Sequence, residues 1–147
     1  NRQTGHAADT SFGAHIFNTV LTYCNEPQSY NGPPPGLSTR LFLRLGHEPL
    51  DTIFHLIYPA STPWHSTSDT DLFLIGADGA EIAKENIIIP CGGSAHHRYH
   101  DLFNDSDRKK AGDGAYLIVR DTTCRLFGYH GLLAESGAFS LDHMFGF

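Results

Sequence analysis

The chain has 147 residues, 40% hydrophobic and 18% charged, with a formal net charge of −6. That is the length of one domain able to bury a core, and it is too apolar for a disordered tail or a coiled coil. The negative charge argues against a bulk basic surface for nucleic acid, and no apolar run approaches the roughly 20 residues that span a bilayer.

Residues 1–12 are polar and small and read as an arm on a single domain spanning 1–147. Neither the basic nor the apolar region of a secretion leader opens the sequence, so the expectation is a soluble protein, with a removed leader equally compatible. Ala14 to Cys24 is rich in β-branched and aromatic residues and reads as a strand. Pro33, Pro34 and Pro35 then exclude a regular element. From Leu37 to Leu45 the pattern alternates. Leu37, Thr39, Leu41, Leu43 and Leu45 share one face, while Ser38, Arg40, Phe42 and Arg44 share the other, which predicts a half-buried antiparallel strand. Leu50 to Tyr58 is the next β-type run, ended by Pro59 and a Ser/Thr/Pro-rich loop to Asp69.

Asp71–Gly76 and Glu81–Ile89 flank Asp78-Gly79, which predicts a hairpin with a type I′ turn and positive φ at both central residues. Ser94 precedes AHHRYHDLF, read as a short helix capped by the serine hydroxyl. Asn104 to Gly114 reads as a charged surface loop, with Arg108-Lys109-Lys110 neutralised by Asp105, Asp107 and Asp113. Ala115–Arg120 and Cys124–Tyr129 predict a second hairpin across residues 121–123. Gly137–Phe147 predicts a last strand whose phenylalanines either close the core or form an oligomer or partner surface. Many short strands joined by hairpins and loops, with little helix, indicate an all-β, antiparallel β-sandwich of immunoglobulin-like or jelly-roll type, with a closed barrel as the competitor that sequence alone does not separate from it. The expected core contains Leu41, Leu43, Phe54, Leu56, Phe73, Ile88, Leu117, Val119, Leu126 and Phe139.

The chemistry-bearing residues centre on ten histidines. If Ser94–Phe103 is helical, His96 and His100 lie on one side. Such a pair can hold a divalent ion such as zinc, iron or nickel, with a third ligand from His130 or His143, and with Asp142 placed to orient an imidazole. No H-E-x-x-H, paired C-x-x-C or His-x-His supports this, and a solvated polar face is the commoner explanation of such a run. Cys91, beside two histidines, has the makings of a thiolate nucleophile, although a turn cysteine is more ordinary. With Cys24 and Cys124 the cysteine count is odd, so the three cannot all pair with one another. Trp64, His65, Tyr58 and His55 fall near the second loop. Trp64, His65 and Tyr58, together with Tyr129, are the candidate ligand-binding rings, since a ring with a polar tip can stack on a sugar or a partner side chain. No glycine-rich phosphate loop is present.

The leading expectation is a non-catalytic module that binds a small molecule, a saccharide or a protein partner, with a homo-oligomer among the partners. The alternative is a metal-dependent jelly-roll enzyme built on the histidine cluster.

Overall fold

The computed structural model describes residues 38–59 and 65–146. The predicted arm, the strand at Ala14–Cys24 and Trp64 lie outside these residues. The elements are β1 (Thr39–Arg44), β2 (Asp51–Ile57), β3 (Thr70–Ile75), β4 (Glu81–Ile87), β5 (Ser94–Arg98), α1 (Tyr99–Leu102), α2 (Asp105–Ala111), β6 (Tyr116–Asp121), β7 (Phe127–Leu133), β8 (Asp142–His143) and β9 (Phe145–Gly146). Strands make up 49% and helices 11% of the described residues. Sheet one has the order β4-β3-β6-β1-β9, and sheet two the order β5-β2-β7-β8. Every ladder is antiparallel, and the two sheets pack as a sandwich. No helix among the described residues is long and apolar enough to cross a membrane.

Alternation decides what is inside. Thr39, Leu43 and Leu45 bury the predicted face of β1 and its continuation, while Phe54 and Leu56, Leu72 and Leu74, and Leu117 and Val119 do so for β2, β3 and β6. Full burial of such a side chain stabilises by roughly 1.5–3 kcal/mol. Four expected core residues are placed differently. Leu41 is half-buried, and Phe73 faces outward beneath Lys84, whose Nζ lies 5.3 Å from the ring centroid. In the triple isoleucine run Ile87 and Ile89 point inward, leaving Ile88 65% exposed, because period two admits only every other residue. Phe139 is 45% exposed.

Several local expectations are corrected. The Asp78-Gly79 hairpin exists, but only Gly79 has positive φ (85°). Gly79 N donates to Gly76 O and Gly76 N to Ala80 O, giving a three-residue loop with a left-handed glycine rather than a type I′ turn. Asn104–Gly114 is not a loop, because its centre is α2. The Asn104 side chain accepts from Asp107 N at 2.8 Å, acidic residues occupy the first turn and basic ones the last, and Gly112 ends the helix at φ 65°. β6 and β7 do not form a hairpin. They belong to different sheets, and Asp121 turns the chain between them by accepting from Thr123 N and Cys124 N. The last strand is two fragments, β8 in sheet two and β9 in sheet one, separated by buried Met144. Phe145 pairs with Phe42 on the outer face of sheet one, the rings 6.1 Å apart.

Candidate functional site

The alternation that buries Phe54 and Leu56 turns Ile53 and His55 to the outer face of sheet two. Register then sets the neighbours of His55. His96 of β5 and Tyr129 of β7 lie opposite it on either side, and His143 of β8 lies opposite Tyr129. His96, His55, Tyr129 and His143 thus form one row of rings across all four strands. His55 and His96 meet edge to face at 6.1 Å and 81°.

The connection from β7 to β8 folds back over part of this row. Ala134 N donates to Ala138 O (2.8 Å), Ser140 N to Leu132 O (3.0 Å) and Leu132 N to Ser140 Oγ (3.1 Å), and Leu133 bridges to Phe139. Gly131 permits the return: a Cβ there would overlap the Ser140 carbonyl and press on Leu141 Cα. The result is a cavity of about 360 Å³ walled by Ile53, His55, His96, Tyr129, Leu133, Phe139 and Leu141. Its walls are mainly aliphatic and aromatic carbon, and its polar groups are two imidazoles and a phenol. Partial burial holds His55 below the usual histidine range, and the neighbouring His96 lowers it further. The Nε2 of His55 is shielded from solvent and has no hydrogen-bond partner among the described residues. Burial raises the Tyr129 hydroxyl.

Two of the sequence-predicted site residues, His96 and Tyr129, meet in this cavity. His143 stands one strand beyond Tyr129 and packs on Phe145, ring centroids 5.7 Å apart. Tyr58 is core, 2% exposed, with its hydroxyl donating to His65 O at 2.9 Å and pushed up to about 12 by burial. His65 itself is exposed. Trp64 lies outside the described residues. The expected helix over Ser94–Phe103 begins only at Tyr99, so His96 sits in a strand, and no helical face joins it to His100. His100 is held at the corner, with Nε2 2.9 Å from Glu48 Oε1 and its backbone N donating to Asp51 Oδ1. His130 pairs with Phe54 and Asp142 and so faces the interior side of sheet two. His96 and His143 are three strand spacings apart, roughly 14 Å, whereas ligands of one ion lie within about 4 Å of each other. Among the described residues, no group of three or more His, Cys, Asp or Glu could hold a metal ion. Among the described residues Cys91 and Cys124 form no disulfide with each other, and burial, followed by the adjacent Asp121, pushes the Cys124 thiol up to about 12.

His55, Leu133, Phe139 and Leu141 were not among the sequence-predicted site residues. His55 carried a signal, a polar residue inside the apolar run from Ile53 to Tyr58. The other three become neighbours only when the β7–β8 connection closes.

The half-buried imidazoles make stability depend on pH. Burial lowers His55, His97 and His130 alike, with Asp142 partly opposing the effect at His130. Unfolded imidazoles take protons near 6.5, while these resist until lower pH. The unfolded chain therefore binds more protons in that window, so the contribution is complete above about pH 7 and is lost as pH falls from about 6.5 through the folded values. The melting temperature should fall between pH 7.5 and 5.5, and His130→Gln should flatten the slope. A wild-type melting temperature that is level or rises on acidification contradicts this.

No family model, curated protein or solved structure matches this chain.

Proposed function

We propose that this domain is a non-catalytic binding module whose ligand is a small, largely apolar molecule seated on the outer face of sheet two. The observation that supports it is the closure of the β7–β8 connection over the His55–Tyr129 row. Sheet faces normally meet solvent with scattered polar side chains, whereas this one carries a concavity lined by aliphatic and ring carbon. Its volume of about 360 Å³ lies within the roughly 300–1,000 Å³ typical of small-molecule sites. The few polar groups favour an apolar ligand over a saccharide, which needs many hydrogen-bond partners, and the small concave shape favours a small molecule over the broad surface of a protein. The cavity lining contains no carboxylate and no thiol, so neither a thiolate nucleophile nor a carboxylate that would orient an imidazole stands among its residues. The binding reading is preferred to a metal-dependent enzyme because, among the described residues, His96, His100, His130 and His143 do not lie together.

Benzyl alcohol is a suitable probe. Its titration should shift resonances of Tyr129, Leu133 and Leu141 and leave those of Leu50 and His47 in place. Leu141→Trp, which fills the cavity, should weaken binding at least about tenfold while the protein stays folded. Scattered shifts, or binding indifferent to Leu141→Trp in a folded variant, would overturn the proposal.

A further inference from the structure

The chemistry of the cavity restricts its ligand further, an inference that rests on the binding reading above. One end is formed by Leu133, Phe139 and Leu141, and the other by the edge-to-face imidazoles of His55 and His96. The Nε2 of His55 is a buried polar atom with no hydrogen-bond partner among the described residues, an arrangement that costs stability until a partner arrives. We infer that the cavity takes a small apolar carboxylic acid, its hydrocarbon part against Leu133, Phe139 and Leu141 and its carboxylate accepting hydrogen bonds from His55 and His96.

The charges around the pair support an anion. On β5, His96 is followed on the same face by Arg98, whose Nε lies 2.9 Å from Asp51 Oδ2 at the start of β2. On β7 and β8 the groups facing the same side are Tyr129 and His143. The carboxylate of this face, Asp51, is engaged by Arg98 and by two backbone N–H donors, those of Thr52 and His100. A cationic ligand would therefore find no counter-charge in the cavity lining, whereas an anionic one finds two imidazoles able to accept protons. Partial burial and the neighbouring His96 hold His55 below its usual range. A carboxylate beside it reverses that preference, because an adjacent opposite charge favours the imidazolium. Each imidazolium N–H then donates a charge-assisted bond to a carboxylate oxygen. His96 is exposed, so its ring can swing aside to admit the oxygen to His55 Nε2. Binding is accompanied by proton uptake, so affinity rises as pH falls through the range in which the carboxylate stays ionised.

Benzoate and benzyl alcohol share a ring and differ in the charged group, so titrating the full chain with each at pH 7.5 and pH 5.5 tests the inference. Benzoate affinity should increase about tenfold at the lower pH relative to benzyl alcohol, with heats that depend on buffer ionisation and so report proton uptake. His96→Gln, at an exposed position, and His55→Gln should each reduce the pH dependence while benzyl alcohol still binds. If benzyl alcohol binds in the cavity and benzoate shows neither the pH dependence nor proton uptake, the carboxylic-acid inference is overturned and the binding module stands. If neither probe binds there, both fall.

Discussion

Replacing Asp121 with alanine is expected to destabilise the domain by roughly 3–5 kcal/mol. Asp121 is 1% exposed, and its two carboxylate oxygens accept five hydrogen bonds. Oδ2 takes Asp69 N and Thr70 Oγ1, and Oδ1 takes Thr123 N, Thr123 Oγ1 and Cys124 N, at 2.6–3.1 Å. A buried acceptor serving several donors is costly to remove, because each donor left without a partner keeps its desolvation penalty. The position adds to the effect. Thr39, Asp121 and Thr70 lie in one row across β1, β6 and β3, and Thr39 Oγ1 donates to Cys124 O while accepting from Leu126 N. This polar row closes the corner through which the chain leaves sheet one for β7, so it also sets where Tyr129 arrives. Asp121→Asn keeps the shape but turns one oxygen into a donor facing donors, and it should lose most of the same stability. Urea denaturation of both variants measures the effect, and a loss below about 1 kcal/mol for Asp121→Ala would show that the network contributes little.

Gly131→Ala should separate the cavity from the fold that carries it. The added Cβ overlaps the Ser140 carbonyl, which is backbone and cannot rotate away. The β7–β8 connection must lift, at a cost of roughly 1–3 kcal/mol for an overpacked site. Lifting it moves Phe139 and Leu141 away from the row of rings, so benzyl alcohol and benzoate should both bind at least about tenfold more weakly, since the enclosing walls supply the buried apolar contact. Gly79→Ala is the control. Gly79 has φ +85° and open space at its Cβ position, so alanine there costs backbone strain of about 1 kcal/mol without touching the cavity. Equal binding by the Gly131 and Gly79 variants would show that the β7–β8 connection does not build the site.

Much of the architecture is legible from local pattern. Alternation from Leu37 to Leu45 places Leu43 and Leu45 in the core, and the β-type run at Leu50–Tyr58 becomes β2. The misreadings have local causes too. Asn104 with Asp107, and Gly112 after the lysines, are ordinary helix-end signals within a run whose charge suggested a loop. The histidine spacing at 96 and 100 has meaning only on a helix, and Ser94–Arg98 pairs with β2 instead, because the edge of sheet two supplies the backbone partners that a helix would have supplied internally.

The sequence by itself determined that this chain is built of short antiparallel strands, because period-two burial and turn residues are properties of neighbours along the chain, whereas their arrangement as two packed sheets rather than a closed barrel was decided by the tertiary structure. It also marked His96 and Tyr129 as residues of interest. Which face each ring occupies, and which rings meet, was decided only by the tertiary structure. Tyr58 went into the core and Tyr129 to the outer face. His130 turned inward, although it is the residue next to Tyr129, and His55 was placed between His96 and Tyr129. The reason is register: shifting a strand by one residue exchanges every side chain between the two faces, and that choice is made by strands far apart in sequence, together with the close approach that Gly131 allows.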